Sequence, residues 1–231
     1  MIPGKSLSAS KGAGRSLLLE LLFVTAAMLV LAHFIFLLRP SSFLGSAVSS
    51  IFGLLLLYTP VLVMWIKKRP IDFFDRGWRS YAKSFLVFMV ASAIVFPLFL
   101  LGAHVWQTSV MGFEKFHFAT IPNFWNFVLV QLALVALPEE FYFRGYFQST
   151  IGRVFEKRWR ILGVNLGWGW VITAAVFAFA HSVVYYQWWH FSIFFPALLF
   201  GYLRERTGSI TAPILFHAAS NIAENWISRC Y

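Results

Sequence analysis

The chain has 231 residues, of which 59% are hydrophobic, 19% aromatic and 12% charged, with a mean hydropathy of +0.71. Soluble domains carry about twice that share of charged residues, so the composition excludes a soluble protein, and it excludes a disordered one as well. The net charge of +10 does not indicate a nucleic-acid partner, because the basic residues lie between apolar runs, as in the cytoplasmic loops of membrane proteins.

Seven apolar runs predict an all-α, polytopic membrane helix bundle of about seven transmembrane helices, since the hydrocarbon core takes about 20 residues per helix. The start of the fifth run is interrupted by glycines. A helix from Ile161 would place His181 about 30 Å along it, so we expect the helix proper to start near Gly167. The runs are Leu17–Leu38, Phe43–Ile66, Ser84–Trp106, Phe124–Phe147, Ile161–Tyr186, Trp189–Leu203 and Ile210–Ile227.

The Lys and Arg residues are distributed unevenly between the two sides of these spans. The N-terminal tail and the loops on its side carry 15, whereas the other side carries 3. The positive-inside rule therefore predicts a cytoplasmic N-terminus. We expect a cytoplasmic tail at residues 1–16, N-terminal transmembrane helices 1–3 at 17–110 and a catalytic-type transmembrane bundle of helices 4–7 at 111–231.

The fourth run carries two acids and a base inside the predicted membrane span. Glu140 and Arg144 are four residues apart on one helix face, with the acid first, which favours an ion pair. Glu139 is turned by about 100° from Glu140, so the same arginine cannot serve it equally well. Pro138 is expected to open the helix there and admit water. An unpaired Glu139 is typical of a catalytic base or acid, but a structural ion pair beside a protonated Glu139 also explains the segment.

Two imidazoles and an amide lie in later runs, at His181 and at His217 with Asn221. Each alone is explained equally well by packing in a helical core. Together with Glu139 they suit attack of water on a carbonyl, since a carboxylate and an imidazole can deprotonate water and a His–Asn pair can stabilise an oxyanion. A metal held by Glu139, His181 and His217 stays open, because carboxylate and imidazole also suit zinc.

Three short motifs follow one another on these runs, namely Glu-Glu-x-x-x-Arg, Phe-x-x-x-His and His-x-x-x-Asn. They stand at Glu139, Glu140 and Arg144, at Phe177 and His181, and at His217 and Asn221. The pattern resembles the CPBP family of CAAX prenyl endopeptidases and bacteriocin-processing proteins, over about residues 124–228. The resemblance implies an intramembrane endopeptidase with its site in a polar cavity of an all-helical bundle.

The resemblance also implies roles for the matching residues. These are general base for Glu139, its partner on the attacking water for His181, oxyanion stabilisation for His217 and Asn221, and orientation of the site for Glu140 and Arg144. It favours a glutamate-dependent mechanism without a cofactor, with zinc on the first glutamate and the two histidines as the alternative.

The expected substrate is a membrane-associated protein or peptide, cut near a membrane-embedded or membrane-anchored segment such as a C-terminal sorting or prenylated tail. We expect a multi-pass protein of a prokaryotic cytoplasmic (inner) membrane, in contact with the lipid bilayer and with no nucleic acid. Two other functions stay open. One is a small transporter or channel that uses the buried acids, although no inverted repeat is visible. The other is a non-catalytic immunity or scaffold protein.

Overall fold

A computed structural model describes residues 11–37, 43–113, 115–185 and 188–231. The first ten residues of the predicted cytoplasmic tail lie outside these ranges, and the division at residue 110 stays a prediction. Within them the chain forms seven long helices, each of which overlaps one predicted run, and a short 3-10 helix (Trp188–Ile193) at the start of the sixth run. They are α1 (Lys11–Leu37), α2 (Phe43–Ile66), α3 (Trp78–Ser109), α4 (Phe124–Val154), α5 (Trp168–Tyr185), α6 (Phe194–Thr207) and α7 (Thr211–Arg229).

The helical membrane-bundle class is confirmed. Among the described residues, three stretches are long and apolar enough to cross a membrane, namely Gly12–Ile35, Trp78–Ser109 and Phe124–Val154. Shorter apolar stretches occur in α2 at Ser50–Ile66 and in α5 at Trp168–Val184. The number of spans and the cytoplasmic N-terminus stay predictions.

The glycine-rich stretch before α5 forms a β-hairpin that the sequence analysis did not foresee. Strands β1 (Arg158–Ile161) and β2 (Val164–Gly167) pair antiparallel. Leu162 and Gly163 connect them with φ values of 47° and 77°, as a type I′ turn requires. Because the hairpin uses the chain up to Gly167, α5 begins at Trp168, and the predicted start near Gly167 is confirmed.

Helix α4 lies at the centre of the bundle. All seven residues of Phe141–Phe147 are buried, and this part of α4 packs against α1, α2 and α5. Polar contacts add to the apolar ones, since the hydroxyls of Thr25 and Tyr142 lie 2.9 Å apart and Tyr146 donates a 2.8 Å hydrogen bond to Glu20. A charged side chain in this buried part of α4 is kept away from the lipid, where it would be most costly.

Helix α4 is also irregular around its acidic pair. Two π-helical segments, Gln131–Ala136 and Phe141–Phe147, flank the short α-helical stretch Leu137–Glu140. The N–H of Leu137 donates to the carbonyl of Leu132, five residues earlier. Segments of this kind inside α-helices are frequent at functional sites, and here they bracket both glutamates.

Candidate active site

Helices α4, α5 and α7 bring one carboxylate and two imidazoles together. Oε2 of Glu139 lies 3.8 Å from Nε2 of His181 and 3.9 Å from Nε2 of His217. These distances exceed a direct hydrogen bond, and Oε2 is buried without a hydrogen-bond partner among the described residues. The side chains of Glu139 and His181 are 20% and 22% exposed, so the cluster is reachable rather than sealed.

The second glutamate forms a fully buried ion pair with the arginine one turn later. Oε1 of Glu140 accepts hydrogen bonds from Nη1 of Arg144, at 3.0 Å, and from Nδ1 of His217, at 2.8 Å. The side chains of Glu140 and Arg144 are 0% exposed. The two adjacent glutamates therefore have different surroundings, because Glu140 is bonded to a cation and Glu139 faces imidazole nitrogens at a longer distance.

Aromatic rings pack against both Arg144 and His217. The guanidinium carbon of Arg144 lies 4.4 Å from the ring centre of Phe177 and 5.0 Å from that of Phe200. The His217 ring stacks on Phe200, with centres 4.9 Å apart and planes 17° from parallel. A third hydrogen bond runs 3.1 Å from Nη2 of Arg144 to the carbonyl of Ala197. These contacts leave His217 little rotational freedom.

Asn221 lies one turn after His217 on α7 and bonds a residue that the sequence analysis missed. Its Nδ2 donates a 2.8 Å hydrogen bond to Oε1 of Gln131, on α4. Among the residues described, no hydrogen bond joins Asn221 to Glu139 or to His181. Gln131 belongs to none of the three motifs, and the sequence signal for it is an uncharged amide inside an apolar run.

A metal site would require several of these side chains to be arranged as ligands. Among the described residues, no group of three or more His, Cys, Asp or Glu side chains is arranged to hold a metal ion. The expectation of a cofactor-free mechanism, and zinc on Glu139, His181 and His217 as its alternative, stay predictions.

A comparison with protein families identifies the part of the chain that holds this site. Residues 121–223 match the family described as type II CAAX prenyl endopeptidase Rce1-like. The match spans slightly less than half of the chain, and the matched residues are called the Rce1-like segment. The Rce1-like segment contains all six predicted site residues, and the resemblance stated for about residues 124–228 is thereby confirmed. No curated protein and no solved structure matches the chain.

The Rce1-like match and the apolar helices have a direct consequence for the class of protein. The family is one of endopeptidases, which indicates a protease, and the helices indicate an integral membrane protein. A membrane-associated peptide or protein follows as the class of substrate. The prokaryotic inner membrane stays a prediction, and so do the individual roles of the site residues.

Proposed function

We propose that this protein is an intramembrane endopeptidase that hydrolyses peptide bonds with a water molecule activated by Glu139 and His181. The observation that carries the proposal is the approach of Glu139 Oε2 to the Nε2 atoms of His181 and His217, at 3.8 and 3.9 Å. The scissile bond lies near a membrane-embedded or membrane-anchored segment of the substrate. The description of the matching family supports a prenylated C-terminal segment as one class of such substrates.

The tautomer of His181 supports a water molecule between this imidazole and the carboxylate. Nδ1 of His181 lies 2.9 Å from the carbonyl oxygen of Phe177. Because a carbonyl only accepts hydrogen bonds, Nδ1 carries the proton, and the neutral ring presents a lone pair at Nε2. A water molecule beside these two atoms, which lie 3.8 Å apart, can donate one O–H group to each of them.

The proposed hydrolysis follows from that placement. The water oxygen attacks the scissile carbonyl carbon while its proton passes to the Glu139 carboxylate, and His181 accepts a hydrogen bond from the other O–H. The carbonyl oxygen becomes an oxyanion. The C–N bond then breaks, and the proton held by Glu139 passes to the leaving amine. The products are a new carboxyl terminus and a new amino terminus, and Glu139 is ionised again.

His217 and Asn221 are proposed to stabilise the oxyanion. Because the Glu140 carboxylate accepts from Nδ1 of His217 at 2.8 Å, a protonated His217 ring directs its second N–H, at Nε2, into the space beside Glu139. Preformed donors of this kind, held in a site of low dielectric constant, are among the largest contributions to enzymatic rates. The ion pair of Glu140 with Arg144, at 3.0 Å, lowers the cost of the Glu140 charge inside the membrane.

The test compares membranes from cells that carry the wild-type protein or Glu139→Gln. The variant keeps the shape of the side chain but cannot take the proton, so we expect cleavage to fall by at least about 10³-fold. New protein termini identified by mass spectrometry in wild-type membranes alone would give the cleaved bond and the substrate. Glu156→Gln is the matched control, since Glu156 is exposed beyond the end of α4.

The outcomes separate the proposal from its alternatives. Loss of cleavage in Glu139→Gln with wild-type activity in Glu156→Gln supports it. Normal cleavage or normal biological activity in Glu139→Gln contradicts it and favours a scaffold or immunity role. Solute transport without hydrolysis, abolished in Glu139→Gln, contradicts it and favours a transporter.

A further inference from the structure

Gln131 and Asn221 form an amide pair between α4 and α7, on the same two helices that supply Glu139 and His217. Asn221 donates from Nδ2 to Oε1 of Gln131 at 2.8 Å. Neither residue is fully buried. Within the described ranges this is the sole hydrogen bond of either side chain, so the second N–H of Asn221 remains available to another acceptor.

The π-helical turn explains why Gln131 can stand beside the site. In a regular α-helix Gln131 and Glu139, eight residues apart, would point about 80° away from each other around the axis. A π-helical turn contains one more residue than an α-helical turn. The rotation around the helix axis between Gln131 and Glu139 is therefore smaller by about 100°, the rotation of one residue. With the π-helical segment Gln131–Ala136 between them, the two side chains point in directions that differ by only about 20° around the axis.

From this arrangement we infer that Gln131 is a positioning residue, which fixes the Asn221 amide so that its second N–H points at the oxyanion. The inference rests on the function proposed above. An asparagine side chain is free to rotate about its terminal bond, and the hydrogen bond to Oε1 of Gln131 holds it in the orientation in which Nδ2, rather than Oδ1, faces α4. Oxyanion donors contribute only when they are held in place before the reaction begins.

A purely structural contact between α4 and α7 would have a different signature. Loss of such a contact would lower the stability of the protein. Any effect of removing Gln131 on catalysis would then be the same whether or not Asn221 is present. A positioning residue affects the transition state through Asn221 alone. Its removal lowers kcat and leaves KM unchanged, because an interaction made only in the transition state is lost.

The experiment is a double-mutant cycle of wild type, Gln131→Met, Asn221→Ala and the double variant. Each is assayed in detergent with a fluorogenic peptide that spans the cleaved bond found by the mass-spectrometric comparison. We expect Gln131→Met to lower kcat by about 3- to 10-fold, the factor of one hydrogen bond, with KM unchanged. Asn221→Ala should lower kcat by about 10²-fold, and the double variant should equal Asn221→Ala, because coupled residues are not additive.

Two further variants distinguish a loss of positioning from a loss of folding. Gln107→Met is the matched control, since Gln107 lies on α3, outside the three helices of the site, and is half-buried like Gln131; its kcat should equal that of wild type. Gln131→Asn keeps an amide but is one methylene too short to reach Asn221. It should reproduce the loss in kcat even if Gln131→Met does not fold.

Three results would overturn the inference: unchanged kcat in the Gln131 variants, a change confined to KM, or multiplicative losses in the double variant. Glu139→Gln in the same assay keeps this failure distinct from that of the proposed function. If Glu139→Gln is inactive while the Gln131 variants are normal, the positioning role alone is wrong. If Glu139→Gln remains active, the proposed mechanism itself is wrong.

Discussion

Glu140 shows how a charge is accommodated at the centre of a membrane bundle. Its Oε1 accepts from both Arg144 and His217, and the guanidinium is covered by two aromatic rings. Removing one member of a buried ion pair leaves the other charge without compensation, which costs more than the pair contributes. The Glu140–Arg144 pair is therefore better understood as a fixed support for His217 than as a source of net stability.

At this scale we predict that Arg144→Met, which keeps most of the side-chain volume, lowers the free energy of unfolding by about 3–5 kcal/mol. The measurement is denaturant or thermal unfolding in detergent. Arg153→Met is the control, because Arg153 is exposed at the end of the same helix and should change stability by no more than about 0.5 kcal/mol. Equal stability of Arg144→Met and wild type would show that Glu140 does not need the arginine.

Among the elements, α4 depends on close approach by α2. A Cβ atom at Gly53 would lie 2.6 Å from the carbonyl oxygen of Leu134, inside the π-helical segment Gln131–Ala136. Backbone atoms cannot move aside as a flexible side chain can. Glycine at this position thus lets α2 pack against the irregular backbone that precedes Glu139.

We predict that Gly53→Ala lowers the free energy of unfolding by about 1–3 kcal/mol, the usual cost of overpacking. Gly102→Ala, on α3, is the matched control, since a Cβ there meets nothing within 4 Å. Alanine is the better helix former by up to about 1 kcal/mol, so this control should be neutral or stabilising. If both variants changed the free energy of unfolding by the same amount and in the same direction, the close approach of α2 to α4 would be contradicted.

On the scale of the whole molecule, Asp75 joins segments that are far apart in the sequence. It is buried in the loop between α2 and α3 and accepts hydrogen bonds from Ser80, from Ser84 at 3.1 Å and from Ser209 at 2.9 Å. The last of these precedes α7, the helix of His217. A 2.9 Å backbone hydrogen bond from Ile210 to Phe73 adds to the connection. Asp75 therefore fastens the α2–α3 loop to the start of a helix that carries the site.

The hydrogen bonds also set how Asp75 responds to pH. Burial by itself raises the pKa of Asp75, but the bonds from the neighbouring serine and threonine hydroxyls outweigh burial and hold the pKa below its usual value. A lowered pKa in the folded state means that the ionised group stabilises the fold above the unfolded pKa of about 3.9. That contribution is lost as the pH falls through the lower, folded-state pKa.

We predict that Asp75→Asn lowers the free energy of unfolding at pH 7 by about 1–3 kcal/mol, as loss of hydrogen bonds to a charged group does. The difference from wild type should shrink as the pH is lowered below about 4. Glu156→Gln, an exposed change beyond the end of α4, should alter neither stability nor its pH dependence. A difference between Asp75→Asn and wild type that is constant with pH would contradict the role of the ionised carboxylate.

Much of the fold was predictable from the sequence, because a lipid environment imposes simple rules on it. Apolar runs of sufficient length become helices, since the backbone must satisfy its own hydrogen bonds there, and each of the seven runs coincides with a helix. The hairpin before α5 was not predictable from hydropathy, because its turn depends on two positive φ values at Leu162 and Gly163. A hydropathy profile contains no information on the φ values of individual residues.

For the candidate site, the sequence by itself determined which ionisable groups lie inside apolar helices, because each such group has a cost that calls for a reason. Only the tertiary structure decided that Glu139 faces His181 and His217 while Glu140 binds Arg144, since that depends on how α4, α5 and α7 are rotated about their axes. It alone decided the pairing of Gln131 with Asn221 as well. The reason is physical: a π-turn changes the angular register of a helix, and nothing in the one-dimensional spacing of residues records that change.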